Sequence, residues 1–225
     1  MSRLALSGLA LVTAIVLPPS APAQEAFAGV VTFELQANGQ SMTMRYLARD
    51  GKVRQEMEVP GMPGPVFTLL GVTPGKMQVV MASMGMYMET DMTELAEKGA
   101  PAATGKVPPL KKLGSETIAG LSCDNYLVGE EQDMEVCVAK GLGWFMNGSA
   151  PSGPMPGAGP STPDLNAYRS AFKDGMFPLR VTQIKDGNRE VILEATSVDA
   201  KTVPEASLFV LPAGLRKMQM PGMGG

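Results

Sequence analysis

The sequence predicts a mainly β protein with a few short helices, built on one antiparallel sheet. Apolar and polar residues alternate with a period of two at 31–36 and along several later segments, and this alternation is typical of half-buried strands. The dipeptides Asn38-Gly39 and Asp50-Gly51 separate the first three such segments. Asn-Gly and Asp-Gly favour two-residue hairpin turns, which join antiparallel neighbours, whereas parallel strands need long crossovers.

The other elements follow from turn and capping residues. After the first strand, a second spans 42–48 and a third spans 52–59. Asp91 with Glu94 three positions later is a capping-box pattern that predicts a short helix. Residues 147–163 hold five Pro and four Gly and predict a long loop. Further elements in chain order are a loop at 61–65, strands at 66–72, 77–83 and 85–89, a linker at 99–109, a hairpin of 121–128 and 133–139, a helix at 164–173, strands at 178–185 and 189–198, and an edge strand at 207–211.

The first 23 residues have the pattern of a cleaved export signal. A short positive start precedes an apolar run at 4–17, which is shorter than the roughly 20 residues of a membrane-spanning helix. Ala21-Pro22-Ala23 is a small-x-small cleavage site. We expect the mature protein to begin near Gln24, to be periplasmic or secreted, and to have no transmembrane anchor; an uncleaved N-terminal anchor is the alternative. Residues 24–216 then form a single domain, and residues 217–225 form a flexible tail rich in Met and Gly.

The composition argues against several classes of function. The 225 residues include 19 Lys+Arg and 22 Asp+Glu, for a net charge of −3, so the chain lacks the basic surplus that binds nucleic acid. It contains no histidine, which removes the commonest general base and the commonest metal ligand. The acidic group Glu130, Glu131 and Asp133 fits a solvated turn. We therefore predict a non-enzymatic protein that uses no cofactor.

Cys123 and Cys137 are the two cysteines of the chain. An even number of cysteines in an exported protein predicts a structural disulfide, with two free thiols as the alternative. If the two residues face each other across a hairpin, Tyr126 opposes Met134. The bond would then stabilise the fold by roughly 3 kcal/mol on the loop-entropy estimate.

Methionine is unusually frequent, with 18 in the chain. Met is flexible and polarizable and adapts to ligands of variable shape, so a Met-lined sheet could hold a hydrophobic ligand; ordinary core packing is the alternative. Soft thioethers also select Cu(I), which makes a methionine-based copper site a second functional hypothesis. Its candidate ligands lie in two runs, Met84, Met86 and Met88, expected on one face of a strand, and Met218, Met220 and Met223 in the tail.

The hairpin region carries a family resemblance. Residues 112–123 fit the pattern Lys-x-Gly-x-Glu-x-Ile-Ala-Gly-x-x-Cys, followed by Tyr126 and by Glu-Val-Cys-Val-Ala at 135–139. Together with 27–33, 44–46 and 52–56 upstream, and 177–181 and 207–215 downstream, the chain resembles a family of secreted bacterial proteins, the domain of unknown function 4412 family. It is also similar to the outer-membrane lipoprotein carriers LolA and LolB.

That resemblance implies a strongly curved sheet, or half-open β-barrel, lidded by short helices and enclosing an apolar cavity for acyl chains. We expect an exported binding or chaperone-like protein for a lipid or a lipoprotein acyl chain. A structural or envelope-stress protein without a small ligand is a third hypothesis. The alternating positions offer an apolar lining for the cavity, formed by Val31, Phe33, Leu35, Met44, Tyr46, Val79 and Met81.

Overall fold

The computed structural model describes residues 27–37, 39–93, 107–145, 168, 170–172 and 175–218. In this part of the chain, twelve strands form one sheet. They are β1 (Gly29–Ala37), β2 (Gln40–Arg49), β3 (Lys52–Met57), β4 (Val66–Leu70), β5 (Lys76–Met81), β6 (Met86–Asp91), β7 (Leu110–Ile118), β8 (Leu121–Val128), β9 (Met134–Ala139), β10 (Phe177–Lys185), β11 (Asn188–Asp199) and β12 (Arg216–Met218). Two short 3-10 helices, Ala82–Met84 and Ala206–Phe209, are also present, and residues 92–93 directly after β6 are helical.

Two antiparallel meanders join side by side to make the sheet. Its order is β12-β6-β5-β4-β3-β2-β1-β11-β10-β9-β8-β7, so β1 to β6 run outward in one direction and β11 back to β7 run outward in the other. Tight turns connect these neighbours: Asp50 and Gly51 have φ of 50° and 71°, and Asp186 and Gly187 have φ of 52° and 78°, which suits turns with two left-handed residues. The prediction of a mainly β, open, curved antiparallel sheet is confirmed.

Strand register defines an inner face of the sheet. Paired residues on neighbouring strands point to the same side, and the pairing begins with Val31 opposite Tyr46 and Phe33 opposite Met44. Across β1 to β6 and β12, this pairing forms two neighbouring rows of residues on the inner face. The first row is Phe33, Met44, Met57, Val66, Met81, Met86 and Arg216. The second row is Val31, Tyr46, Gln55, Thr68, Val79, Met88 and Met218.

An aromatic cluster fills the inner face where the two meanders meet. The ring centroid of Tyr46 lies 5.0 Å from that of Phe145 and 5.3 Å from that of Phe177, and Phe33 lies 5.9 Å from Phe145. These separations are typical of favourable aromatic pairs. Phe145 follows β9, and its backbone N–H donates a hydrogen bond to the Met176 carbonyl at 3.1 Å, just before β10. Phe145 therefore covers the core on the β9–β10 side.

The segment between β11 and β12 packs on the outer face of the first meander. Arg49 donates to the Pro204 carbonyl at 2.8 Å and Arg54 to the Leu208 carbonyl at 3.0 Å. Leu211 and Leu215 pack against a small outer cluster of Phe67, Leu69 and Val80. The outer face of β4 and β5 is thus covered by the chain's own C-terminal segment.

Several local predictions were wrong. The strand predicted at 207–211 is in fact the 3-10 helix Ala206–Phe209, because this segment lies across the outer face instead of adding to an edge. The edge strand is β12, which pairs parallel with β6, and β7 was not predicted. Cys137 opposes Asn125, and Cys123 opposes Ala139, so the disulfide is diagonal and the predicted register was off by two residues. A shift by two preserves the faces, since side chains alternate with a period of two.

The predicted helices fall largely outside the described residues. Asp91 ends β6, and its side chain accepts a hydrogen bond from the Thr93 N–H at 2.9 Å, as a helix cap would; Glu94 lies outside the described residues. Within 164–173, Ala171 and Phe172 donate to the Tyr168 carbonyl at 2.9 and 3.1 Å, which is a single helical turn. The loop at 147–163 and the export signal at 1–23 also lie outside the described residues.

Candidate binding surface

The seven residues predicted to line a cavity share the inner face. Val31, Phe33, Leu35, Met44 and Tyr46 are at most 4% exposed and belong to the packed core. Val79 and Met81 on β5 are half-buried, and β3 and β4 separate them from β2. Only the last two therefore have side chains that a ligand could reach without repacking the core.

The inner face of β3 to β6 and β12 is rich in accessible methionine. We define the methionine surface as the half-buried or exposed apolar residues of these strands on that face: Met57, Val66, Met77, Val79, Met81, Met86, Met88 and Met218. From β3 to β12 it spans four strand spacings, about 19 Å. Met57 and Met77 pack against the core, so the surface continues the core toward one edge of the sheet.

Two polar residues interrupt this surface. Gln55 and Thr68 occupy its second row on β3 and β4. The Gln55 side-chain amide lies 3.9 Å from the Met44 sulfur, which orients the amide toward the core. The surface can therefore offer a hydrogen bond near its middle as well as apolar contact.

A pocket of about 550 Å³ opens at the end of the sheet next to the methionine surface. Its walls come from residues 41–43 at the start of β2 and from the loop that follows β3. Met42 and Met62 supply two of the lining side chains, and Met42 lies on the inner face opposite Leu35. Pro60 and Pro65 also line the pocket and restrict the loop backbone. No sequence signal distinguished this loop beyond its Pro and Gly content.

The two predicted methionine runs meet at one edge of the sheet. Met86 and Met88 lie on β6, and Met218 on β12 is paired with Met88. The expectation that Met84 lines up with them was wrong: it ends a 3-10 helix, Gly85 follows with φ of 65°, and the Met84 side chain is 44% exposed. Met220 and Met223 lie outside the described residues.

A separate charged cluster occupies the far edge of the inner face. The Asp124 carboxylate accepts a hydrogen bond from the Ser115 hydroxyl at 2.5 Å and is paired with the Lys112 ammonium at 2.8 Å and the Lys140 ammonium at 3.2 Å. These donors, Lys112 first, hold the pKa of Asp124 well below its usual range. Because all of its partners stabilise the charged form, Asp124 is suited to a structural role and not to proton transfer.

The disulfide joins β8 to β9 under an ion-pair network on the outer face. Cys123 and Cys137 are bonded, with their Cα atoms 5.4 Å apart, and are at most 2% exposed. Arg180 on β10 is paired with Glu116 on β7 and with Glu194 on β11, each at 2.7 Å. The bond between Arg180 and Glu116 crosses the two strands that carry the cysteines. The predicted disulfide is confirmed.

Two kinds of feature are absent from the described residues. These residues contain no group of three His, Cys, Asp or Glu side chains that could hold a metal ion. Among the same residues, no helix has the length and hydrophobicity to cross a bilayer. What the geometry does provide is an apolar, adaptable surface beside a pocket.

The profile of one family, Domain of unknown function (DUF4412), matches residues 27–215. The chain belongs to this family. The resemblance inferred from the hairpin motifs is thereby confirmed. No curated protein matches the chain significantly.

Solved structures resemble this DUF4412 protein in fold. An uncharacterized conserved protein from Thermus thermophilus is 13% identical, with a TM-score of 0.52 over 86% of this chain and 90% of that one. The MucA/MucB complex from Pseudomonas aeruginosa is 15% identical, with a TM-score of 0.48 over 86% of this chain and 58% of that one. This chain thus spans little more than half of that second structure's chain, and at 13% identity the similarity to the Thermus protein concerns the fold alone.

Proposed function

We propose that this protein is an exported, non-enzymatic binding protein that holds a hydrophobic ligand, a lipid or a lipoprotein acyl chain, on its methionine surface. The observation that carries the proposal is the row of half-buried apolar side chains on the inner face of β3 to β6, beside the part of the same face that is packed as the core. Phe145, which follows β9, packs on the core, whereas Met57, Met81 and Met86 are left partly accessible.

The side chains suit a ligand of variable shape. Methionine has three rotatable bonds and a polarizable sulfur, and it is frequent on surfaces that accept different partners. The nearby pocket between the start of β2 and the loop after β3 gives a ligand a place to enter at the strand ends. No acid, base or metal is needed for such binding.

The affinity follows from apolar burial. Each buried methylene contributes about 0.8 kcal/mol, so about ten methylenes contribute roughly 8 kcal/mol before ordering costs, which corresponds to micromolar affinity. Gln55 and Thr68 in the second row can meet a polar group of the ligand. This placement differs from a cavity lined by Phe33 and Tyr46, because the rings of both residues already pack against Phe145.

The test is a titration of a fluorescent fatty-acid analogue into the delipidated mature protein. We expect saturable binding in the micromolar range, weakened at least tenfold by Met81→Glu or Met86→Glu, since each places a charge within the apolar row. Met84→Glu is the matched control because Met84 is close in sequence but belongs to a 3-10 helix outside the paired strands, and it should change the affinity less than twofold. Circular dichroism verifies that each variant is folded.

The contrary results are equally specific. Absence of saturable binding up to about 100 μM, equivalent to roughly 5.5 kcal/mol, would favour a structural or envelope-stress protein with no small ligand. Equal weakening by Met84→Glu would place the binding outside the methionine surface.

Export is the second part of the proposal. Cleavage after Ala23 would release a mature chain beginning at Gln24 into the periplasm. The intact mass of the protein from a periplasmic extract tests this directly. A mass that still includes residues 1–23 would contradict it.

A further inference from the structure

We propose that Met81, Met86, Met88 and Met218 together form a binding site for a soft monovalent cation, Cu(I). The proposal goes beyond hydrophobic binding and rests on the pairing of three strands at one edge of the sheet. It does not require the surface to bind a lipid.

Strand pairing brings the four thioethers together. Met81 on β5 is directly opposite Met86 on β6, and Met88 on β6 is paired with Met218 on β12. Paired Cα atoms on neighbouring strands lie about 5 Å apart, and residues two apart on one strand lie about 6.6 Å apart. All four side chains project from the same face. With three rotatable bonds each, their sulfurs can converge on one ion.

The chemistry of the donor set selects the metal. Thioethers are soft ligands that favour Cu(I), whereas Zn²⁺, Mg²⁺ and Ca²⁺ favour imidazole, thiolate or oxygen donors. The chain has no histidine, and both cysteines are in the disulfide. The described residues also hold no cluster of three carboxylate, thiol or imidazole groups.

Contacts of β12 fix the position of Met218. The Arg216 N–H donates to the Gly85 carbonyl at 2.9 Å. The Lys217 ammonium donates to Glu89 at 2.8 Å on the outer face, and Gln78 donates to the same carboxylate at 3.1 Å. Because side chains alternate along a strand, anchoring Lys217 outward directs Met218 inward.

One charged residue borders the site. Arg216 is paired with Met86 on the inner face and is exposed. Its guanidinium repels a bound cation, although water screens the effect at an exposed position. Arg216→Gln should therefore tighten Cu(I) binding slightly, by less than tenfold, and more at low salt.

The experiment is a competition between the mature protein and bicinchoninate for Cu(I), kept reduced with ascorbate. The site variant replaces Met81, Met86, Met88 and Met218 with Leu. The control variant makes the same change at four methionines outside the site, Met42, Met57, Met77 and Met84. Met-to-Leu exchange preserves apolar volume at small cost, so both variants should fold. We expect one tight Cu(I) per wild-type chain, at least tenfold weaker binding in the site variant, and less than twofold change in the control variant.

A second readout locates the metal. Bound Cu(I) should link β6 to β12 and slow amide hydrogen exchange in β12, and the site variant should lose this effect. The proposal is overturned if wild type binds no Cu(I), if the site variant binds within twofold of wild type, or if the control variant loses as much. It is also overturned if Met220→Leu with Met223→Leu alone abolishes binding.

The two proposals fail in different ways. Loss of Cu(I) binding in the site variant tests the metal site, and the affinity of the same variant for the fatty-acid analogue is measured separately. Loss of lipid binding in Met81→Glu with no Cu(I) binding in wild type would support the first proposal and exclude the second. Cu(I) binding in a protein that binds no fatty acid would do the reverse.

Discussion

Replacing Phe33 with Ala tests whether the centre of the inner face is packed or open. Phe33 is fully buried, edge-on to Phe145 at 5.9 Å and stacked with Phe177 at 6.2 Å. Removing such a ring from a packed core costs about 3–5 kcal/mol, a large part of the roughly 5–15 kcal/mol that stabilises a typical domain.

Urea denaturation measures this effect. Trp144, the single tryptophan, is half-buried next to Phe145, so its fluorescence reports on the core. The free energy of unfolding falls by about 2–3 kcal/mol per M of urea, so the midpoint of the unfolding transition should fall by about 1.5 M urea. Val79→Ala, on the half-buried methionine surface, is the matched comparison and should cost only roughly 1 kcal/mol.

The outcome distinguishes two placements of the ligand. If Phe33→Ala costs no more than Val79→Ala, the ring must already border open space, and the reasoning that places the ligand toward β5 and β6 fails. If Phe33→Ala does lose about 3–5 kcal/mol of stability, the fatty-acid analogue is then titrated into the folded variant. Unchanged affinity would locate the ligand away from the core.

Three further substitutions test separate contacts. Asp124→Asn should lower the free energy of unfolding at pH 7 by about 2 kcal/mol, typical of hydrogen bonds to a charged group. Because folding lowers the pKa of Asp124, the wild type keeps this stability above about pH 4 and loses it as the pH falls further. Urea titrations between pH 7 and pH 3 should therefore show that the free energy of unfolding depends less on pH in the variant than in the wild type. Cys137→Ala should cost about 2–4 kcal/mol in the same assay, and alkylation of two thiols in the unreduced folded wild type would contradict the bond. Tyr168→Phe removes the hydroxyl that accepts the Gly129 N–H at 2.7 Å and should cost about 1–2 kcal/mol; a thermal melt identical to wild type would show that the contact contributes nothing.

Hairpins were the most predictable part of the fold because their signals are local. Asp50-Gly51 and Asp186-Gly187 adopt the left-handed conformations that such dipeptides favour, and the alternation of residues 31–35 matches their burial. β7 gave no such signal. Most of its residues are exposed, with Ile118 buried at its end, and its pairing with β8 shifts at Leu113, so it has little alternation to detect.

Contacts between distant segments could not be predicted in this way. The apolar residues at 207–211 suggested a strand, but Phe209 is buried within a segment that crosses the outer face. The neighbourhood of Met88 and Met218 depends on a parallel pairing of strands far apart in sequence. Local alternation predicted that Met86 and Met88 share a face, but it could not identify Met81 and Met218 as their neighbours on the paired strands.

The seam between β1 and β11 has a consequence for how the chain reaches its native state. The Thr196 hydroxyl donates to the Thr32 carbonyl at 3.2 Å across 164 positions of sequence, and this seam holds the two meanders together. Contacts so distant in sequence raise the contact order and slow folding. Until β11 arrives, the first meander presents β1 as an unpaired edge, and such edges invite pairing between chains. A chain truncated before β11 should therefore aggregate instead of yielding half a protein, and in the full chain docking of β11 should be the late, rate-limiting event of folding.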